Sequence, residues 1–325
     1  LMMRNFGKVA VLFGGRSAER DVSLNSGSRV LAALQRQGVD AQAFDPAERK
    51  LDELAAFDCA FIMLHGRYGE DGTIQGVLEL MGIPYTGSGV MASAIGMDKD
   101  LMKSELRSAG LPVCPWVTIT AVGWRGDQAS ILRRIEADLT FPVYVKPARG
   151  GSSVGISRAA TPEDVPGAIE EALRWDPKVI VEEGFVGARE IEVAVLDVRD
   201  GTAPRVSLAG EIVMHTDDAF YDYQAKYLPQ GQVDLVVPAP VDAALLSRIQ
   251  KTGARAFRAM GAEGLSRVDL FVTADEEVFV NELNTMPGFT HLSMYPALWE
   301  ATGLSYADLI AELVDLALSR PTGLR

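Results

Sequence analysis

The first hundred residues alternate short apolar runs with stretches of helical periodicity, and this alternation narrows the possible folds most. Lys8 to Phe13 reads as a strand ending in Gly14-Gly15. A helix follows, with Ser23 as its expected cap, Gln37 near its end, and Val30, Leu31 and Leu34 on one face. Val39 to Phe44 and Cys59 to Leu64 read as further strands, and Thr73 to Met81 as a helix. Strands that alternate with helices pair in parallel, because a parallel connection must cross over and a helix makes the crossover. The N-terminal part is therefore expected to be an open parallel α/β layer.

The pattern changes after Gly96-Met97-Asp98. Lys99 to Ala109 reads as a helix stopped by Gly110-Leu111-Pro112. Residues 116–186 mix strands with two helical patterns; Phe141 to Lys146 and Lys178 to Glu182 are the clearest strands. From Arg189 strands dominate, until a helix at about 241–260, a strand pair at 265–284, and amphipathic helices near 294–300 and 305–319. A chain of 325 residues exceeds one ordinary core, so two or three domains are expected. Thr216 to Gln232 has no clean periodicity but holds Tyr221, Tyr223, Lys226 and Tyr227, which suits a functional loop better than plain disorder.

Composition excludes some classes. Hydrophobic residues at 48% and charged residues at 23% are globular values, so long disorder is not expected. A net charge of −13 disfavours tracking of nucleic acid or an anionic membrane, while a local basic site for a small anion stays allowed. No apolar run approaches the roughly 18 residues that span a bilayer. Only seven residues precede the first strand-like run, so no signal peptide is expected. Cys59 and Cys114 fit neither a metal-ligand spacing nor CxxC and read as reduced, buried thiols of a soluble cytoplasmic protein. GxGxxG, Walker A and HExxH are absent, and His65, His215 and His291 are scattered.

Two segments carry chemistry. In Arg267-Val268-Asp269 and Glu282-Leu283-Asn284, residues two apart share a strand face. A hairpin turning at Asp275-Glu276 would pair Asp269 with Glu282 and Arg267 with Asn284. One face then holds two carboxylates, an amide oxygen and a guanidinium, and Val268, Leu270, Val280 and Leu283 enter a core. Such hard oxygen donors suit Mg²⁺ or Mn²⁺ with substrate phosphates; a salt-bridged solvent face has the same pattern. In the second segment, Val143 to Lys146 is a strand that runs into Pro147-Ala148-Arg149-Gly150-Gly151-Ser152-Ser153-Val154-Gly155. Glycines and serines let backbone N–H groups approach an anion, and Lys146 and Arg149 supply positive charge. A plain Gly-Ser turn is the competing reading.

Six segments in order resemble the ATP-grasp superfamily and, within it, the D-alanine–D-alanine ligase family. They are Gly14 to Ser23, His65 to Gly72, Met97-Asp98-Lys99, Lys146 to Gly155, Tyr221 to Tyr227, and Glu282 to Gly288. The resemblance implies a mixed α/β and α+β chain of three domains: 1–98 for substrate, 99–186 as the central ATP-grasp subdomain, and 187–325 with metal and acceptor sites. It implies ATP as substrate, two Mg²⁺ or Mn²⁺ ions with K⁺ as a further candidate, two molecules of D-alanine, and a homodimer. Sister activities with D-lactate or D-serine, and an inactive nucleotide-binding regulatory module, are the alternatives.

Roles implied by the resemblance attach to numbered positions. Asp269, Glu282 and Asn284 hold the metal ions, Lys99, Lys146 and Lys226 contact ATP phosphates, and Ser153 belongs to the ATP site. Glu182, Glu183 and Phe185 form the adenine hinge, and Glu190 meets the ribose. Glu19 faces the first D-alanine's ammonium, with Ser152 and Tyr227 as its partners and Val22 nearby. His65 positions that substrate or is simply structural. Arg267 and the Gly288 amide meet the oxyanion, and Ser293 with the Met294 amide holds the second D-alanine's carboxylate.

Overall fold

A computed structural model describes residues 6–151, 154–199, 201–214 and 233–320. Its first part runs β1 (Lys8–Leu12), α1 (Arg20–Arg36), β2 (Asp40–Phe44), β3 (Cys59–Ile62), α2 (Thr73–Met81) and α3 (Val90–Met97). The strands pair in parallel in the order β2-β1-β3, as the alternation requires. β1 and β3 are almost wholly buried, which is why they read as unbroken apolar runs. Ser23 is not the cap of α1. The helix starts three residues earlier with Glu19 at the N-cap position, and Ser23 is buried within it. Its hydroxyl donates to Met63 O (2.5 Å) and accepts from the Gly14 N–H (2.8 Å). That pair of bonds ties together the C-terminal ends of β1 and β3, where the first candidate residues lie.

The middle of the chain holds α4 (Lys99–Ser108), β4 (Trp116–Thr120), α5 (Ala121–Gly126), α6 (Gln128–Asp138), β5 (Val143–Pro147), β6 (Ser157–Ala159), α7 (Val165–Leu173) and β7 (Lys178–Glu183). Three helices thus occupy the 116–186 stretch where two patterns were expected; the break at Asp127, which caps α6, separates two of them. The antiparallel sheet has the order β4-β7-β5-β6. Period-2 alternation gives it two unlike faces. Val117, Ile119, Val143, Val145, Val179 and Val181 enter a core under α6 and α7. Trp116, Tyr144 and Glu182, directly opposite one another, form the other face.

The last part runs β8 (Arg189–Leu196), β9 (Arg205–Met214), β10 (Val233–Val236), α8 (Ala243–Ala259), β11 (Leu265–Val272), β12 (Val278–Asn284), α9 (Met294–Ala301) and α10 (Tyr306–Ser319). Its antiparallel sheet has the order β10-β9-β8-β11-β12. α8 covers one face, packing Leu245, Ile249 and Phe257 against Ile191, Val193 and Val268. Met102 and Leu106 of α4 join this same core.

The end of the chain returns to the beginning. Tyr295 and Trp299 of α9, with Leu309, Leu313 and Val314 of α10, share one core with Val11 and Phe61 of the parallel layer. Phe289 sets its ring edge-on to Phe61, with centroids 6.3 Å apart. Each large apolar side chain buried this way contributes roughly 1.5–3 kcal/mol. This packing fixes the loops after β1 and β3 against the segment between β12 and α9.

Candidate active site

The face of the five-stranded sheet turned away from α8 follows from strand parity. Arg267 lies opposite Asn284, and Asp269 opposite Glu282. The register then slips between Asp269 and Leu270, so that Leu270 faces Val280. This bulge lets Val280 and Leu283, which have opposite parity, both be buried. On the other side of β11, Glu192 of β8 stands opposite Asp269, and Glu190 opposite Phe271.

The charged groups on this face hold one another. Arg267 forks onto Asp269 with Nε–Oδ1 and Nη2–Oδ2 distances of 2.7 Å, and its Nε lies 3.0 Å from Glu192 Oε2. Asn284 Nδ2 donates to Asp269 Oδ2 (3.0 Å), which keeps the amide carbonyl oxygen for a cation. Glu282 meets Lys99 Nζ at 3.3 Å. Among the described residues no group of three or more His, Cys, Asp or Glu forms a metal cluster. Two carboxylates and one amide oxygen nevertheless fit Mg²⁺, which takes few protein ligands and completes its shell with water and phosphate.

Across a cleft stands the polar face of the four-stranded sheet. Glu182 is buried, with its carboxylate held between Lys103 of α4 and Lys146 of β5. Burial alone would raise its pKa, but Lys103 and Lys146 outweigh that and hold it at about 2. Burial would likewise lower that of Lys146, but Glu182 outweighs it and raises it above the ordinary value. Glu183 accepts from the Thr140 N–H (2.9 Å). The Phe185 ring packs 4.6 Å from Phe279 and 6.2 Å from Phe271, bridging the two sheets. A cavity of about 190 Å³ between the sheets is lined by Lys99, Lys146, Glu182, Glu183, Phe185, Glu190, Asp269 and Glu282, among others.

A second cavity of about 530 Å³ adjoins it, and Lys99, Glu192 and Glu282 line both. All three parts of the chain contribute to its walls: Glu19, Val22 and His65; Gly150 and Gly151; Arg267, Asn284, Gly288, Ser293 and Met294. Glu19 makes no side-chain cap bond to α1. Its N–H donates to Ser17 Oγ (3.1 Å), which donates to His65 O (2.6 Å). Its carboxylate lies close against two glycines: a Cβ on Gly66 would come within 2.5 Å, and one on Gly151 within 3.1 Å, of Glu19 Oε2. His65 lies 3.4 Å from Glu70 and 3.3 Å from Ser26, whose hydroxyl also accepts from the Phe289 N–H. Ser293 caps α9 without a side-chain cap bond; its Oγ accepts from the Thr290 N–H (2.9 Å) and lies 2.8 Å from Thr290 Oγ1.

Lys99 Nζ donates to Gly150 O (2.9 Å), so it carries the glycine-rich loop as well as facing Glu282. Arg149 does not serve the cleft. Its guanidinium forks onto Asp176 at 3.0 and 2.7 Å, and it lines neither cavity. Ser152, Ser153, Lys226 and Tyr227 lie outside the described residues. Two residues not expected from the sequence stand in the site. Glu192 was legible as the i+2 partner of Glu190, whereas Lys103 carried no such signal.

Two antiparallel sheets facing each other across a cleft lined by lysines and carboxylates accord with the ATP-grasp fold that the sequence resembles. The family profile described as "D-ala D-ala ligase C-terminus" matches residues 106–315, and "D-ala D-ala ligase N-terminus" matches residues 40–88. The D-alanine–D-alanine ligase of Kineococcus radiotolerans is 43% identical over 98% of this chain and 98% of its own. The structure of the D-alanine–D-alanine ligase from Coxiella burnetii superimposes with a TM-score of 0.81 at 31% identity, over 96% of this chain and 94% of that one. The VanG D-Ala:D-Ser ligase from Enterococcus faecalis gives 0.83 at 33%, over 97% and 100%. The chain belongs to the D-alanine–D-alanine ligase family. No helix among the described residues is long and apolar enough to cross a membrane.

Proposed function

We propose that the chain joins two D-alanine molecules at the cost of one ATP, for peptidoglycan precursor synthesis in the cytoplasm. The observation that carries this reading is the continuity of the two cavities through Lys99, Glu192 and Glu282. A nucleotide in the smaller one would direct its terminal phosphate into the larger one, between Glu19 and Arg267. Phe185 and the backbone after Glu182 and Glu183 suit the adenine, and Glu190 the ribose. Lys99 and Lys146 suit the phosphates. Asp269, Glu282 and Asn284 would hold Mg²⁺, which when bound neutralises charge that develops in phosphoryl transfer.

A carboxylate oxygen of the first D-alanine takes the γ-phosphoryl group, and ADP leaves. Glu19 holds that substrate's ammonium. The amine of the second D-alanine then attacks the acyl carbon. Arg267 and the Gly288 N–H meet the negative oxygen of the tetrahedral intermediate, because fixed donors in a dry site need no reorganisation. Phosphate leaves as the amide forms. Ser293 and the N–H of Met294, at the first turn of α9, hold the second carboxylate where unpaired helical N–H groups favour an anion. Ser152 and Tyr227 beside Glu19, Lys226 on the phosphates, Ser153 in the ATP site, and a homodimeric state are assigned by resemblance.

D-alanine labelled with ¹⁸O in its carboxylate tests the acyl phosphate. One labelled oxygen should appear in the released phosphate; unlabelled phosphate beside dipeptide product would contradict the route. The similarity to a D-Ala:D-Ser ligase supports D-serine as a second acceptor reading. The relatives of 40–46% identity, all D-alanine–D-alanine ligases, favour D-alanine.

A further inference from the structure

The buried trio of Lys103, Glu182 and Lys146 has an unusual charge count. Lys103 is 1% exposed, lies on α4 outside every motif the chain displays, and meets Glu182 Oε1. Lys146 meets the other oxygen, Oε2, of the same carboxylate. Two cations share one anion, so the trio carries one net positive charge with almost no water around it. Glu282, on the facing sheet, also bears on Lys146, but it is shared with Lys99, whose Nζ lies 3.3 Å away. Cys114 lies beside the trio but is buried, and burial pushes its thiol up to about 12, so it stays uncharged. Trp116 and Tyr144, whose ring centroids stand 5.9 and 6.0 Å from Lys103 and Lys146, flank the cations without bringing charge.

A buried Lys-Glu pair would be neutral, and its lysine would offer little to an incoming anion. A buried isolated lysine would lose its proton to desolvation. Three groups avoid both outcomes, because one carboxylate faces two lysines and cannot fully neutralise either. From this geometry we infer that Lys103 is a positioning residue of the nucleotide site. By taking one oxygen of Glu182 it leaves the charge of Lys146 only partly compensated, free to act on the phosphates of the nucleotide. The inference rests on the nucleotide reading of the cleft.

The test compares ADP with adenosine, both with Mg²⁺, by calorimetric titration of the full chain. Their affinity ratio isolates what the phosphates contribute. Lys103→Met makes the trio neutral and should lower the ratio about tenfold, which corresponds to about 1.4 kcal/mol, with adenosine affinity within about twofold of wild type. The double variant Lys103→Met/Glu182→Gln returns the trio to one positive charge and should restore the ratio, even where loss of Glu182 weakens both ligands. Lys103→Arg keeps the charge and should keep the ratio, which makes it the informative variant if Lys103→Met does not fold. Equal weakening of both ligands in Lys103→Met, no recovery in the double variant, or a lowered ratio in Lys103→Arg each overturns the role of Lys103. A wild-type chain that binds neither ligand would instead overturn the nucleotide reading itself.

Discussion

Replacing Gly288 by alanine tests the acceptor end of the site with a magnitude that can be worked from distances. A Cβ at position 288 would lie 2.7 Å from Ser293 Oγ, whereas an ordinary contact begins near 3.4 Å, so the hydroxyl must retreat by about 0.7 Å. Its bonds to the Thr290 N–H at 2.9 Å and Thr290 Oγ1 at 2.8 Å fix its present place, so the retreat turns it from the second carboxylate. Loss of that hydrogen bond to a charged group is about 2 kcal/mol, or about 30-fold. Two-substrate initial-rate kinetics should show that increase in the KM of the second D-alanine, with the first KM much less affected. The Ser293→Ala variant supplies the control. It removes the clashing atom, and the remaining Ser293 Cβ, 3.6 Å away, is in normal contact. The double variant should therefore be no worse than Ser293→Ala alone, a strong departure from additivity. Simple addition of the two single effects, or an unchanged second KM in Gly288→Ala, would refute the reasoning.

Other perturbations follow from the same geometry. Glu282→Gln removes a candidate metal carboxylate and should cut turnover at least about a hundredfold while weakening Mn²⁺ binding measured by electron spin resonance; near-normal binding would remove it from the metal site. Arg267→Met leaves Glu192 and Asp269 as facing carboxylates without their shared cation and should cost about 3–5 kcal/mol in urea unfolding; a loss below about 1 kcal/mol would mean that the pair is solvated. Glu182 titrates near pH 2 when folded, against an ordinary value of 4.5. Its contribution to stability is therefore complete above about pH 4.5 and is lost as pH falls toward about 2. Urea midpoints across that window should fall less steeply in the double variant lacking Glu182 than in wild type; parallel slopes would contradict the assignment. Cys59 and Cys114 are both buried, and burial pushes both thiols up to about 12, so a thiol reagent should label them only after denaturation.

Local periodicity made much of this fold legible. The parallel layer, the helix Thr73–Met81, and the facing of Asp269 with Glu282 all follow from period and parity, because both describe neighbours in sequence or across a short turn. The bulge after Asp269 was not legible, since an inserted residue changes the register without changing the residue pattern. Arg149 looked like a phosphate ligand because its partner, Asp176, lies 27 residues away on the approach to β7. Lys103 belongs to no motif, and only the tertiary placement of α4 against β7 brings it to Glu182. The packing of α9 and α10 onto the parallel layer joins opposite ends of the chain, a relation that no local signal encodes. Family resemblance supplied roles for Glu19, Ser293 and Gly288; their meeting in one cavity is a property of the folded chain.

Phosphate release from the purified chain with ATP and Mg²⁺, with and without D-alanine, and with the product identified by mass, tests the central claim most directly. Release that depends on D-alanine and yields D-alanyl-D-alanine is the predicted result. Release only when D-serine or D-lactate is added would move the chain to a sister activity. Folded, ATP-binding protein that releases no phosphate with any of the three would contradict catalysis altogether.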